Sequence, residues 1–257
     1  MADIDRAELL AAVKVAALLA GAEILNIYQT DFAVDTKVDQ SPVTAADGAA
    51  EAIILEALAE AAPAIPVVAE ESVAAGRLPD ISGGRFWLVD PLDGTKEFIS
   101  RNGEFTVNVA LIENATPTLG VVHLPALGET YWTAGDGIAW RQRGKQPATR
   151  IAVRLPDRQG LVVVASRSHR DARTDQFLAD FQVKELISAG SSLKLCRVAE
   201  GAADMYPRLG RTMEWDIAAG HAVLLAAGGT VETLDGEPLT YGKPGLDNPF
   251  FVARGAR

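Results

Sequence analysis

The sequence predicts a layered protein of mixed class, α+β in its first half and α/β in its second. Helical periodicity followed by paired strands marks the first half, and strands that alternate with helices mark the second. The 257 residues, of which 48% are apolar and 23% charged, suffice for one compact body with a substantial core. We therefore expect two closely joined halves, residues 1–148 and 149–257.

The first half opens with two predicted helices. Apolar residues recur every three or four positions from Ile4 to about Tyr28, which is typical of a helix with one buried face. A second helix is expected from Ser41 to about Ala61, because Thr44 with Asp47 three residues later forms a capping-box pattern with Asp in place of Glu. Short apolar runs then predict strands at 66–69, 86–89, 105–112, 118–123, 130–133 and 137–140.

The second half alternates between strands and helices. Leu161 to Val164 is a continuous apolar run, as expected of a strand buried on both faces. Helices are predicted from Asp171 onward, over 191–200 and over 214–227, with a further strand near 183–187. The boundary between the halves is placed in the polar, turn-rich segment 144–158.

Charge and composition exclude several classes of function. A formal net charge of −10 without any Lys/Arg run argues against a nucleic-acid polymer as partner, because such binding depends on neutralising phosphates. An anionic metabolite would need local positive charge, which bound metal cations can supply, although an acid excess alone indicates only solubility. The single cysteine, Cys196, excludes an internal disulfide. The apolar segment Val13 to Ala20 is too short to span a bilayer, so we expect a cytoplasmic protein without a transmembrane segment.

Acidic residues stand at the ends of three predicted elements, where ligand sites gather in α/β proteins. Glu70 follows one strand, Asp90-Pro91-Leu92-Asp93 follows another, and Asp216 stands at a helix start. Two carboxylates three residues apart in a tight turn repel each other unless a cation lies between them. Carboxylates and the Leu92 carbonyl are oxygen ligands that suit Mg²⁺. A solvated acidic turn in which an aspartate caps the next helix is the alternative, and these residues alone leave both open.

A phosphate site is expected next to these acids. A helix is predicted to begin at Thr95, directly after Gly94, a residue that permits a sharp turn. The N–H groups at a helix start favour an anion. A phosphate would then lie between the cations and this helix end.

These motifs resemble the inositol monophosphatase superfamily of lithium-sensitive phosphatases. The similarity is strongest to its bacterial 3′(2′),5′-bisphosphate nucleotidases of the CysQ type, and it covers almost the whole chain. Ala69 departs from the pattern, since Gly or Ser is frequent before the two glutamates. The shared segments are Glu70-Glu71-Ser72, Asp90-Pro91-Leu92-Asp93-Gly94-Thr95 and Trp215-Asp216-Ile217-Ala218-Ala219-Gly220, with residues 37–47, 93–105, 166–169, 191–194 and 206–208.

The resemblance implies a five-layer α-β-α-β-α sandwich and a set of site residues. Glu70, Asp90 and the Leu92 carbonyl would bind one Mg²⁺, and Asp90, Asp93 and Asp216 a second, with a weaker third ion near Glu70. Asp47 and Thr95 would orient and deprotonate the attacking water, with Glu70 as a further catalytic residue. Lithium inhibition is implied as well. Substrate contacts are expected from Gly94, Thr95, Ser166, His169, Ser191, Lys194 and Arg208.

The substrate implied by the resemblance is 3′-phosphoadenosine 5′-phosphate, a nucleotide of sulfur metabolism, hydrolysed by water to AMP and phosphate. An inositol or sugar monophosphatase on the same fold is the alternative enzyme, because a fold does not determine its substrate. A non-catalytic metabolite-binding protein is the alternative from another class. Lys96-Glu97 and the region of Arg208 argue against the first, and the presence of Thr95 against the second. Whether the protein is a monomer or a homodimer, and whether it associates with the inner face of the membrane, stays open.

Overall fold

The computed structural model describes residues 5–36, 42–166 and 172–256, and within these ranges the chain forms seven helices and fourteen strands. The helices are α1 Arg6–Tyr28, α2 Ala45–Ala61, α3 Glu70–Ala74, α4 Thr95–Ile99, α5 Ala172–Leu178, α6 Leu193–Ala199 and α7 Glu214–Ala226. The strands are β1 Asp35–Thr36, β2 Pro42–Val43, β3 Val67–Ala69, β4 Arg85–Asp93, β5 Thr106–Glu113, β6 Thr116–Leu124, β7 Glu129–Thr133, β8 Ala139–Arg143, β9 Thr149–Ile151, β10 Leu161–Ser166, β11 Val183–Ala189, β12 Met205–Arg208, β13 Thr230–Thr233 and β14 Phe251–Arg254.

These elements stack in five layers. Helices α1 and α2 cover one face of a seven-stranded sheet, and α6 and α7 lie between that sheet and a five-stranded sheet. Helix α5 covers the outer face of the five-stranded sheet through Leu178 and Phe177. This is the α-β-α-β-α order that the resemblance implied, so the predicted fold class is confirmed.

The seven-stranded sheet is buried on both faces. Its strands follow the order β3-β4-β5-β6-β7-β8-β9, with β3 parallel to β4 and the other neighbours antiparallel. Along β4, Trp87 and Val89 pack with α1 and α2, whereas Phe86 and Leu88 pack in the core that contains α7. Because both faces are covered, such a strand reads as a continuous apolar run rather than an alternating one.

The five-stranded sheet is mixed, in the order β11-β10-β12-β14-β13. Strand β10 is parallel to β11 and β12, and β14 is antiparallel to β12 and β13. Six strands that the sequence pattern did not predict (β1, β2, β9, β12, β13 and β14) are only two to four residues long. Such short strands carry too few residues for a period-two pattern to be distinguished.

Helix α2 begins later than predicted. Pro42–Val43 pairs with Asp35–Thr36 as a two-stranded ladder, so the helix starts at Ala45 rather than at Ser41. The predicted capping box is confirmed at Thr44, because its hydroxyl accepts the Ala46 N–H at 3.2 Å and the Asp47 carboxylate accepts the Thr44 N–H at 2.8 Å.

Helix α1 is a core helix, as predicted. Leu9, Val13 and Ile24 are buried against the seven-stranded sheet. Its 23 residues include an 18-residue stretch with a mean hydropathy of 1.8, which would suit a membrane span by length and composition, and 33% of that stretch is buried. The shortness of Val13 to Ala20 therefore does not exclude a span, and only the packing of α1 supports a core role.

The change from one sheet to the other falls between Ile151 and Leu161. Strand β9 still belongs to the seven-stranded sheet, so this sheet continues three residues beyond the predicted boundary at 148. Because α7 packs against strands of both sheets, the division of the chain into two domains stays a prediction.

Candidate active site

A cavity of about 800 Å³ opens where the carboxyl end of β4 meets the first turns of α4, α6 and α7. Residues far apart in the sequence converge on this concave surface, as a small-molecule site requires. The predicted site residues that line it are Glu70, Asp93, Gly94, Thr95, Ser166, Ser191, Lys194, Arg208 and Asp216. The predicted contact His169 lies outside the described residues.

The paired aspartates lie within β4 rather than in a tight turn after it, which corrects the sequence interpretation. The ladder with β5 is regular up to Asp90 opposite Asn108 and resumes at Asp93 opposite Thr106, with a bulge between them. A bulge inserts one extra residue and redirects side chains. Asp90, whose Oδ1 accepts the Leu92 N–H at 3.0 Å, is therefore buried, whereas Asp93 reaches the cavity wall.

Glycine is required directly after the bulge. Gly94 has φ +91°, in the left-handed region that disfavours other residues. A Cβ atom at this position would also overlap Ser191 Oγ. That hydroxyl lies 2.9 Å from the Asp93 carbonyl oxygen and 2.8 Å from the Glu104 carbonyl oxygen, and it can donate to either. The segment before α6 is thus held tightly against the acidic bulge.

Asp93 and Lys194 are oppositely charged residues that line the cavity and interact electrostatically. Burial raises the pKa of Asp93 to about 6; Lys194 acts against this shift, whereas Glu97 and Glu70 add to it. Burial lowers the pKa of Lys194 to about 8, with Asp93 opposing the shift and Arg208 adding to it. The lysine therefore compensates the carboxylate only in part.

Asp216 stands in the first turn of α7, where its Oδ2 accepts the Met213 N–H at 2.9 Å. Burial raises its pKa well above the ordinary value, and the charges of Asp93 and Glu70 raise it further. Three carboxylates from three chain segments thus repel one another at one cavity. A bound cation would relieve this repulsion, and the oxygen donors fit Mg²⁺.

Glu70 begins the short helix α3, which the sequence analysis did not predict. A buried residue of α2, Glu51, supports this helix: its carboxylate accepts the Glu71 N–H at 2.8 Å and the Ser72 hydroxyl at 2.6 Å. Glu51 was also missed, because a glutamate inside a helical pattern carries no signal that it is buried.

The ion-binding roles of these acids stay predictions. Within residues 5–36, 42–166 and 172–256, no three His, Cys, Asp or Glu side chains already stand in an arrangement that would hold a metal ion. What the structure brings together is the carboxylates of Glu70, Asp93 and Asp216 at one cavity, with the Asp90 carboxylate and Leu92 buried in the adjoining bulge.

Asp47 of α2 lies close to Thr95 at the start of α4. Thr95 Oγ1 lies 3.4 Å from Asp47 Oδ1 and 3.5 Å from the Leu92 carbonyl oxygen. The other oxygen of Asp47, Oδ2, accepts the N–H and the hydroxyl of Thr44 at 2.8 and 2.9 Å. The capping box therefore orients Asp47 so that Oδ1 faces Thr95.

The lining of the cavity also carries positive charge. Lys194, Arg208 and Arg211 contribute to it, and Arg211 was not among the predicted contacts. Among the described side chains, Arg208 Nε is one of few buried polar atoms without a hydrogen-bond partner, whereas its Nη2 donates to the Arg211 carbonyl at 2.9 Å. The Lys96-Glu97 pair, noted only as a motif, also lines the cavity. A charged pair directly after Thr95 was the signal that could have placed it there.

The sequence of this chain is similar to a known family and to individual known proteins. The model of the inositol monophosphatase family matches residues 5–249. The 3′(2′),5′-bisphosphate nucleotidase CysQ of Shigella flexneri is 47% identical over 224 residues, covering 86% of this chain and 89% of that protein. The protein of the same name from Haemophilus influenzae is 34% identical, covering 96% and 93%.

Solved structures of CysQ and of an inositol monophosphatase are also similar to this chain. The crystal structure of CysQ from Bacteroides thetaiotaomicron matches with a TM-score of 0.83 and 40% identity, covering 96% of this chain and 97% of that one. The structure of inositol monophosphatase from Anabaena matches with a TM-score of 0.72 and 28% identity, covering 96% and 90%.

Proposed function

Since this chain belongs to the inositol monophosphatase family, we propose that it is a 3′(2′),5′-bisphosphate nucleotidase. It removes the 3′-phosphate of 3′-phosphoadenosine 5′-phosphate and releases AMP and phosphate. The observation that carries this function is the mixed charge of one cavity, whose lining includes Glu70, Asp93 and Asp216 together with Lys194, Arg208 and Arg211. A metabolite with two phosphates suits such a cavity, because the acids with their cations take one phosphate and the basic side chains take the other.

The metal ions are proposed to be Mg²⁺. Glu70, Asp90 and the Leu92 carbonyl would hold one ion, and Asp90, Asp93 and Asp216 a second, with a weaker third near Glu70. Burial, with the charges of neighbouring carboxylates, raises the pKa of Asp93 and Asp216, and this supports the assignment. Bound Mg²⁺ would lower the pKa of the attacking water and neutralise charge on the phosphoryl group and on the leaving oxygen.

Asp47 and Thr95 are proposed to orient the attacking water and to take its proton. Asp47 Oδ1 faces the Thr95 hydroxyl at 3.4 Å, so a proton that reaches Thr95 Oγ1 can be matched by one that passes to Asp47. The N–H groups at the start of α4 add a favourable field for the phosphate. Glu70, which is expected to hold an ion, would also act on the attacking water.

The basic side chains that line the cavity are proposed to select for the second phosphate. Arg208, whose buried Nε is without a partner among the described residues, would donate to it, and Lys194 would balance its charge. Ser166 and Ser191 line the same cavity and are proposed to contact the nucleotide, as His169 is by family resemblance. A cytoplasmic location, association with a membrane face, and a monomeric or dimeric state stay predictions.

A phosphate-release panel tests the substrate. With Mg²⁺ we expect 3′-phosphoadenosine 5′-phosphate to be hydrolysed with a higher kcat/KM than inositol 1-phosphate or fructose 1,6-bisphosphate. AMP should release no phosphate, and EDTA or lithium should suppress the reaction. A preference for inositol 1-phosphate would overturn the proposed substrate while leaving the family intact.

The Arg208→Gln variant tests separately whether Arg208 binds the second phosphate. We expect its KM for 3′-phosphoadenosine 5′-phosphate to rise about tenfold or more, since a charge-assisted hydrogen bond contributes about 1.5–3 kcal/mol. Its KM for adenosine 3′-monophosphate, which lacks the second phosphate, should change little. An equal rise for both substrates would show that Arg208 does not read the second phosphate.

A further inference from the structure

Three uncharged polar side chains are buried behind Asp93. Thr106, Asn108 and Ser192 are exposed by only 0, 1 and 3%. Thr106 and Asn108 belong to β5 in the seven-stranded sheet, and Ser192 precedes α6. We call these three residues the Thr106 triad.

The triad interrupts an apolar surface. Ala110 and Ile112, the next residues on the same face of β5, belong to the apolar core that contains α6 and α7. Only at the end of β5 next to Asp93 does this face become polar. Burial of uncharged polar groups costs free energy unless each is hydrogen-bonded, and apolar residues of similar size would pack there without that cost. A role beyond packing is therefore expected at this place.

The hydrogen bonds of the triad lead to the Asp93 carboxylate. Asp93 Oδ2 accepts the Ser192 N–H at 2.7 Å and faces the Thr106 hydroxyl at 3.5 Å. The Ser192 hydroxyl donates to Asn108 Oδ1 at 2.6 Å, and Asn108 Nδ2 donates to Thr106 Oγ1 at 3.1 Å. Thr106 Oγ1 also lies 2.9 Å from Ser192 Oγ.

The direction of these bonds follows from the donors. An amide nitrogen can only donate, so Asn108 Nδ2 occupies a lone pair of the Thr106 oxygen. The Ser192 proton is already directed to Asn108 Oδ1. The Thr106 proton is thereby left for Ser192 Oγ or for Asp93 Oδ2. Both contacts to Asp93 are made by its oxygen Oδ2, and together they limit rotation of the carboxylate.

We propose that the Thr106 triad positions the Asp93 carboxylate for cation binding, with Thr106 and Asn108 acting as positioning residues rather than catalytic ones. The triad connects β5 with the start of α6. It therefore fixes the position of Asp93 relative to Ser191 and Lys194. Groups that orient a metal ligand typically change metal affinity by about 10–100-fold when removed. This inference rests on the metal-binding role proposed above for Asp93.

Thr106→Val removes the hydroxyl while keeping the shape of the side chain. In metal-free protein we expect Mn²⁺ binding, followed by electron paramagnetic resonance, to weaken by about tenfold or more. The Mg²⁺ concentration for half-maximal phosphate release should rise in parallel, and Thr106→Ser should restore most of the affinity. Thr133→Val is the matched control, because Thr133 is also fully buried in the seven-stranded sheet and accepts a backbone N–H at 3.1 Å from Gly135, outside the cavity lining.

Asn108→Leu removes the donor and the acceptor of this side chain without adding a charge. The Thr106 oxygen then loses the N–H that it accepts, and the Ser192 hydroxyl loses its acceptor. Weaker Mn²⁺ binding is expected here too, which gives a second test if Thr106→Val does not fold.

Two outcomes would overturn the proposal, and they can be distinguished. Wild-type Mn²⁺ affinity in a folded Thr106→Val or Asn108→Leu variant would show that the triad only packs. No Mn²⁺ binding by the unaltered protein would remove the metal-binding role of Asp93 itself, and the role of the triad with it.

Discussion

Two groups of charged side chains lie buried or half-buried where the seven-stranded sheet meets the second half, and they differ in charge balance. The site cluster is Glu70, Asp93, Lys194 and Asp216, at the cavity. The ion-pair cluster is Glu129, Tyr131, Arg141, Arg197 and Glu200, between β7, β8 and α6.

In the ion-pair cluster each carboxylate is matched. Arg197 lies 2.5 Å from Glu200 and 3.9 Å from Glu129, Arg141 also pairs with Glu200, and the Tyr131 hydroxyl lies 2.8 Å from Glu129. Burial lowers the pKa of Arg197, but its hydrogen bond and charge contact with Glu200 raise it more, so its pKa lies above the ordinary value. These contacts favour the charged form of Arg197.

In the site cluster the balance is reversed. Burial and neighbouring carboxylates raise the pKa of Asp93 to about 6 and that of Asp216 well above its usual range. Charge is thus compensated in the ion-pair cluster, whereas the carboxylates of the site cluster are compensated only in part, and a cation is proposed to bind there. Perturbed acids in a cleft are a recognised mark of function.

The largest effect is expected for Asp93→Asn, which tests the site cluster. Phosphate release should fall by more than about 100-fold, beyond the range for groups that only orient a metal ligand. The free energy of unfolding without metal should stay the same or rise, because one of three repelling carboxylates is removed. Urea unfolding in EDTA and a phosphate assay measure the two effects. Near-normal turnover would contradict the functional role that distinguishes the site cluster from the ion-pair cluster.

Glu200→Gln should give the opposite pattern, with a smaller effect. Two arginines lose a charged partner inside the protein, so the free energy of unfolding should fall by about 3 kcal/mol. Turnover per folded molecule should be unchanged. Glu56→Gln on the exposed side of α2 is the control, with an expected change within about 0.5 kcal/mol. If Glu200→Gln loses activity before it loses stability, the ion-pair cluster is not purely structural.

The smallest effect concerns His221, a buried ionisable group outside both clusters. Burial, and then the charge of Lys243, lowers its pKa to about 3, and its Nδ1 lies 2.8 Å from the Tyr241 hydroxyl. At pH 5 the unfolded chain binds a proton that the folded protein does not. The stability from this group is therefore complete above about pH 6.5 and is lost as pH falls toward the folded pKa.

His221→Gln keeps a hydrogen-bonding side chain without this titration. Between pH 7.5 and pH 5 it should lose about 2 kcal/mol less stability than the unaltered protein. Urea midpoints at the two pH values give the difference, in which the other titrating groups cancel. An identical pH dependence in the two proteins would mean that His221 is not kept neutral by burial.

Much of the site was predictable from local patterns. The capping box at Thr44, the helix start at Thr95 and the position of Asp216 at the start of α7 follow from signals that span four residues or fewer. The bulge in β4 was not predicted, since Asp90-Pro91-Leu92-Asp93 fits a tight turn equally well. Glu51, Thr106 and Asn108 were missed because their partners lie between 2 and 86 residues away, mostly on other elements.

By itself the sequence determined most of the longer helices and strands and which of their ends carry acids, because periodicity, caps and turn residues act between near neighbours. Only the tertiary structure decided which residues meet: Asp47 with Thr95, Ser191 with Gly94, and Ser192 with Asp93. Those contacts depend on how the five layers pack against one another. The burial that follows from that packing then sets the charge balance of the cavity.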